Sequence, residues 1–202
     1  MTCSALVMAN ILLINGHQPF PTSPGKLNAF YLERARARFA SEGHATRLVR
    51  TSGAYDLETE VESQQWADLI FLQFPVNSMG APWSLKKYLD EVYTAGMDGR
   101  LAKGDGRSRK DPSRQYGSGG LMSDTRYMLS ATLNAPRAAF DDPEQHLFSG
   151  KSVDDLLAPL HINFAFFALQ RLPTFAAYDV NKNPTFDDDV ARFDELISAL
   201  PV

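Results

Sequence analysis

From Leu72 to Tyr88 an apolar run gives way to a loop containing Pro75, Asn77, Ser78 and Gly80, and then to a helical pattern. A strand that is apolar at consecutive positions must be covered on both faces. That requirement points to a parallel sheet between two helical layers. In such a sheet the loops at the carboxyl ends of the strands carry free backbone N–H groups beside helix N-termini, so this junction marks an expected ligand-binding edge.

The same grammar repeats along the chain. Asn10 to Asn15 is a short apolar strand closed by Gly16, followed by a Pro/Gly-rich loop and a helix over Lys26 to Ser41. His44 to Arg50 alternates like an edge strand, and a short helix over Leu57 to Trp66 leads into the strand Leu69 to Phe74. A third helix is expected over Pro82 to Thr94, a fourth strand over Arg126 to Thr132, and a helix over Val153 to Leu169 with Pro159 either near its first turns or kinking it. A last strand over Leu172 to Tyr178, beginning after Pro173, and an amphipathic helix over Thr185 to Leu200 complete the pattern. Five strands alternating with helices predict one α/β domain with helices on both faces.

Two strand orders are common for such a domain. A dinucleotide-binding unit needs G-x-G-x-x-G directly after strand one, where this chain has only Gly16 and Gly25. A flavodoxin-like order, 2-1-3-4-5, places its ligand between strands one and three. Here those strands end at residues 15 and 74.

Composition removes other classes. A net charge of −4 lacks the clustered basic face of a nucleic-acid binder, and the dense basic stretch from Arg100 to Arg114 is interleaved with glycine and aspartate, as in a solvated loop. One cysteine, Cys3, cannot form an internal disulfide, and no Cys/His cluster has metal-ligand spacing, so no metal is expected and the chain suits the reducing cytoplasm. No apolar run approaches the length of a membrane span. Residues 1–9 are expected to be a flexible extension, with Met8 an alternative start, and 10–202 the single domain. There is no G-x-S-x-G elbow, and none of the four histidines has an evident nucleophile partner.

Thr22, Ser23, Lys26 and Asn28 could face an anion at the positive end of the first helix, or Thr22 or Ser23 could simply cap it. In the loop after strand three, Asn77 and Ser78 can bond a heterocycle edge while Pro75, Val76 and Met79 supply an apolar wall. Trp83 reads first as a core residue of the third helix and second as part of that wall. Tyr116-Gly117-Ser118-Gly119-Gly120 fits either a backbone approach to a ring or a plain turn. Ser130 to Pro136 ends the fourth strand on the same edge. His161 reads as a hydrogen-bonded core or dimer-face histidine.

Several motifs carry a family likeness: Gly25-Lys26-Leu27-Asn28, Met79-Gly80-Ala81-Pro82-Trp83 with Lys86-Lys87-Tyr88, Arg109-Lys110-Asp111-Pro112-Ser113, Tyr116 to Leu121, Asn134-Ala135-Pro136 and Leu172-Pro173-Thr174-Phe175. With these the chain resembles the modulator-of-drug-activity-B type of NAD(P)H:quinone oxidoreductase, flavodoxin-like flavoproteins that pass hydride to quinones. The resemblance implies FAD rather than FMN, NADPH or NADH as co-substrate, a quinone acceptor, a ping-pong exchange and a homodimer, to which the apolar segment Phe164 to Leu169 also points. It places cofactor contacts at Ser23, Lys26, Leu27, Asn28 and Phe30, at Pro75, Val76, Asn77, Ser78 and Met79, and at Tyr116, Thr132, Asn134 and Ala135. Tyr116 is also its catalytic candidate. Members of the family carry tryptophans where this chain has Asn77, Ser78 and Leu133, a departure expected to open the ring pocket. A flavin-binding redox sensor or electron carrier with little quinone turnover is the alternative reading.

Overall fold

The computed structural model describes residues 8–201. The elements follow in the order β1 (Asn10–Asn15), α1 (Lys26–Ser41), β2 (Ala45–Arg50), α2 (Leu57–Trp66), β3 (Leu69–Pro75), α3 (Trp83–Ala95), β4 (Arg126–Thr132), α4 (Val153–Leu156), α5 (Ala158–Phe166), β5 (Gln170–Arg171), β6 (Phe175–Ala177) and α6 (Phe186–Ser198), with a short 3₁₀ turn at Arg137–Ala139. All paired strands are parallel, in the order β2-β1-β3-β4-β5, with β6 also on β4. The expected flavodoxin-like order is therefore present.

Alternation within each strand divides the core. Leu12, Ile14, Ile70, Leu72 and Phe74 face one side, packed with Val61 of α2, Leu85 and Tyr88 of α3 and Phe164 of α5. Ile11, Leu13, Leu69, Phe71 and Met128 face the other, against Tyr31 and Phe39 of α1 and Phe193 of α6. Covering both faces is why β1 and β3 read as continuous apolar runs. β2, at the sheet edge, buries only Val49, as its alternating sequence implied.

Two elements differ from expectation. The last strand begins after Pro173 as expected, at Phe175, but a further short strand, Gln170–Arg171, pairs with β4 ahead of it, and the ladder lapses between the two, where Pro173 has no N–H to donate. The helix expected over Val153 to Leu169 is two helices that meet at Leu157, with proline in the first turn of the second, where its missing N–H costs nothing. Of the expected extension, residues 1–7 lie outside the described residues. Ala9 is buried and bonded through its carbonyl to the Ala45 N–H at 3.0 Å. Among the described residues no helix is long and apolar enough to cross a membrane.

A polar cluster, buried at Tyr127 and His161, pins α4 and α5 to the sheet. Tyr127 and His161 Nδ1 are bonded at 2.8 Å, His161 Nε2 lies 3.2 Å from an Asp154 carboxylate oxygen, and Arg171 pairs with the same carboxylate. The carboxylate can only accept, so the proton sits on Nε2 and the Tyr127 hydroxyl donates to Nδ1. His161 is thus the hydrogen-bonded core histidine that its apolar surroundings suggested. Burial, then the Arg171 guanidinium, hold its pKa below the ordinary 6.5, with Asp154 opposing. An unfolded chain that takes up a proton more readily gains on the folded one as pH falls, so this contribution is present above about 6.5 and lost below it. We expect the urea midpoint to fall between pH 7 and pH 5.5 and His161→Gln to flatten that slope. Because His17 is displaced in the same direction, the slope should shrink and not vanish.

Candidate functional site

The carboxyl edge of the sheet is built on a row of polar side chains. Asn15, Gln73 and Ser130 are register neighbours across β1, β3 and β4. All three lie on the face covered by α1, one step beyond the last apolar pair of that face. The Ser130 hydroxyl donates to Gln73 Oε1 at 2.6 Å, Gln73 Nε2 donates to Asn28 Oδ1 at 3.3 Å, and Asn28 Nδ2 donates to Asn15 Oδ1 at 2.8 Å. Asn15 Oδ1 also accepts from the His17 N–H at 3.1 Å. Each amide donates in one direction only, so the orientation of every member fixes the next. This chain anchors the first turn of α1 to three strands.

Above it lies a cleft of about 310 Å³ lined by His17, Thr22 to Asn28, Pro75 to Asn77, Thr132, Asn134, Val180 and Asn181. The first intrahelical bond into the turn runs from the Ala29 N–H to the Gly25 carbonyl at 2.9 Å, and no side chain caps the helix. The N–H groups of Lys26, Leu27 and Asn28 therefore have no partner among the described residues, and no acid stands in the first turn. A helix end left this way attracts an anion. Ser23 and Thr22 do not act as the cap; Gly25 holds that position in the left-handed region at φ 82°.

A second cleft of about 460 Å³ adjoins the first through Val76 and Asn134, and is lined further by Ser78, Met79, Leu133, Ala135, Pro136, Phe148, Leu156, Gln145 and Lys182 among others. Its wall is mostly apolar with few polar groups, the character of a planar-ring pocket. The loop between the clefts is a two-residue turn closed by reciprocal bonds, Asn77 N–H to Gly80 carbonyl at 2.9 Å and Gly80 N–H to Asn77 carbonyl at 3.0 Å. Ser78 and Met79 both hold positive φ, 47° and 65°, without being glycine. That conformation stores strain at the position where the ring pocket begins.

Most of the sequence-predicted residues meet at these two clefts: Ser23, Lys26, Leu27, Asn28, Pro75, Val76, Asn77, Thr132 and Asn134 line the first, and Ser78, Met79 and Ala135 the second. Two stand apart. Phe30 packs on the outer face against Phe186 of α6, ring centroids 5.1 Å apart. Tyr116 is 67% exposed, lines neither cleft, rests on Phe166 at 5.6 Å and is covered by the Arg107 guanidinium at 5.1 Å. Trp83, expected in the core of the third helix or in the cleft wall, is in neither: at the first position of α3 it is 62% exposed. The basic loop is solvated, with Arg107 paired to Asp105 at 2.6 Å and Arg100 to Glu58 at 2.6 Å.

Sequence reasoning missed His17, Val180 and Asn181. The last two follow β6, and the rule that selected the loops after β1, β3 and β4 applies equally to that strand end. His17 follows Gly16 in the first of those loops, and the same rule reaches it.

Residues 9–199 match the model of the flavodoxin-like fold family, and the chain belongs to that family. A protein of Schizosaccharomyces pombe is 44% identical over 188 residues, covering 93% of this chain and 95% of that one. NADPH:quinone oxidoreductase MdaB of Haemophilus influenzae is 40% identical over 184 residues, covering 91% and 95%, which places the chain in the modulator-of-drug-activity-B group that its motifs resemble. A solved structure from Klebsiella pneumoniae superposes with a TM-score of 0.73 at 19% identity, covering 94% of this chain and 83% of that one, a likeness of fold.

The cleft geometry makes Gly25 a sensitive position. A Cβ there would lie 2.6 Å from the His17 ring atoms Cε1 and Nδ1, and the backbone is already left-handed. We expect Gly25→Ala to lower unfolding stability by about 1–2 kcal/mol from the backbone alone, with more from the clash, read as a reduced urea midpoint at unchanged slope.

Proposed function

We propose that the chain is a flavin-dependent NAD(P)H:quinone oxidoreductase, binding FAD across the two clefts and reducing quinones by two electrons in a ping-pong exchange, as a homodimer. The observation that carries this reading is the continuity of an anion-attracting cleft at the uncapped N-terminus of α1 with an apolar cleft at Val76 and Asn134. Its 40% identity to an NADPH:quinone oxidoreductase over nearly the whole chain supports the same activity.

The residues fit the cofactor's parts. The N–H groups of Lys26, Leu27 and Asn28, the Ser23 hydroxyl and the Lys26 ammonium would hold the diphosphate. Thr132, Asn77 and Asn134 would bond the ring edge, and Pro75, Val76, Met79 and Ala135 would exclude water from its face. When bound, flavin supplies the redox chemistry, accepting hydride from NAD(P)H and delivering it to a quinone. The protein's own work is then to orient rings and exclude water, with no demand for an acid or nucleophile in the cleft. We assign Tyr116 the role of stacking on or donating to the acceptor, a role that its exposure leaves available. Leu133 and Ser78 in the second cleft, and Asn77 in the first, where the resemblance would put tryptophans, leave the ring pocket wide and favour bulky acceptors.

Purified protein is expected to be yellow, to release FAD on denaturation, and to oxidise NADPH rapidly only when menadione is present. Double-reciprocal plots against the two substrates should be parallel; intersecting lines would refute the ping-pong exchange. A colourless protein that neither FAD nor FMN reconstitutes would sink the whole reading.

A further inference from the structure

His17 is a buried imidazole in the wall of the anion cleft, and it has no part in the redox chemistry above. Its Nε2 lies 3.1 Å from the Ser23 carbonyl oxygen. A carbonyl can only accept, so Nε2 carries the proton and donates, and in the neutral ring Nδ1 is left as a bare lone pair. Among the described residues Nδ1 has no hydrogen-bond partner, and it is not sealed from solvent. The ring also fills the space beside Gly25, where a Cβ would touch it. One side chain thus ties the loop between Gly16 and Gly25 to itself at Ser23, packs on the helix cap, and leaves one nitrogen uncommitted beside the N-terminus of α1.

We propose that His17 is the positioning residue of the anion cleft and couples it to protons: Nε2 holds the loop on Ser23, and Nδ1 takes up a proton from bulk water when a phosphate group binds beside it. The inference rests on the flavin reading and names the phosphate end of the cofactor as the part that drives the coupling. In the free protein burial holds the imidazole below its ordinary value, so the ring is neutral near pH 7, against the weaker pull of the Ser23 carbonyl. An anionic phosphate within about 4–6 Å reverses the balance, because an opposite charge at that range favours the charged form by one to several pKa units.

Among the described residues His17 is the only imidazole in the cleft wall. Among the described residues Lys26 on α1 is the only other ionisable side chain lining it; the walls from β3, β4 and the loop after β6 contribute Pro75, Val76, Asn77, Thr132, Asn134, Val180 and Asn181. At the same sheet edge stand Arg50, the register neighbour of Asn15, and Asp179 after β6, while Lys182 lines the adjoining cleft. Linkage then gives the sign. Affinity for a phosphate-bearing flavin falls as pH rises between the free and bound values of His17, by up to tenfold per unit.

The experiment uses full-length apoprotein titrated with FAD, FMN and riboflavin. Calorimetry at pH 7 in two buffers of different protonation enthalpy counts protons, and flavin fluorescence from pH 5.5 to pH 8.5 follows affinity. FAD and FMN binding should take up a fraction of a proton approaching one, riboflavin binding none, and His17→Gln should bind FAD with a flat pH profile. In parallel, the Cε1–H proton resonance of His17 in the wild type should titrate at higher pH with FAD than without, a readout that does not depend on the variant folding. Binding of FAD with no proton uptake, an unshifted His17 titration, or equal uptake with riboflavin would overturn this inference and leave the flavin reading standing. No binding of FAD or FMN would overturn both.

Discussion

The hydrogen-bonded row from Ser130 through Gln73 and Asn28 to Asn15 decides where the core of this protein stops and its site begins. Below it, Ile11, Leu13, Leu69, Phe71 and Met128 form a dry face under α1 and α6. At its level, four polar side chains from three strands and one helix consume one another's donors and acceptors, two of them completely shielded. Buried amides are tolerated because each finds a partner; taking away one member would orphan the next at about 1–3 kcal/mol. The row therefore acts as a rigid floor that fixes the first turn of α1 against the ends of β1 and β3. Everything placed above it inherits that geometry.

Asn28 shows how the floor separates support from contact. It lines the cleft, yet both of its side-chain ends are spent inward on Asn15 and Gln73. What it offers a ligand is its backbone N–H. Ser23, Lys26 and the exposed Asn134 keep their side chains uncommitted, and these are the groups that can answer to the charge and shape of whatever binds. The strained turn at Ser78 and Met79 lies one step further out. Left-handed conformation costs about 1–2 kcal/mol per non-glycine residue, and the reciprocal Asn77–Gly80 bonds hold it in place, so the mouth of the apolar cleft has a defined shape.

The sheet was legible because its physics is local and repetitive: apolar runs of strand length, glycine or proline at their ends, and helical periodicity between them. Two-sided burial left its mark directly on Ile11 to Ile14 and on Leu69 to Phe74. The site was legible at the level of loops, because the carboxyl-edge rule needs only the strand ends. What stayed hidden depends on three-dimensional register. Asn15, Gln73 and Ser130 look like unrelated polar residues until the strands are aligned, and Gln73 in particular passes for an interruption of an apolar run. The orientation of Trp83 turned on one residue of helix phase, and Phe30 on which side of α1 faces the cleft. Tyr116 was selected by resemblance to a family, and its surroundings in this chain, Phe166 and Arg107, were not deducible from its sequence neighbours.

Helix ends carry the remaining argument. α2 begins with Asp56 accepting from the Thr59 N–H and two glutamates in its first turn, α4 has a full capping box at Ser152 and Asp155, and α6 opens with three aspartates. Each neutralises its own positive end. α1 and α3 do not: neither has a capping side chain or a first-turn acid, and α5 is also uncapped but continues from α4 at Leu157. α1 even carries Lys26 at its first position, where a cation opposes the helix dipole by about 0.3–1 kcal/mol. The two uncompensated ends are those that follow β1 and β3, the strands flanking the switch in strand order. A chain that offsets the positive ends of α2, α4 and α6 and leaves these two open keeps unsatisfied positive potential at one edge of one sheet, where an electron-rich ligand would complete it.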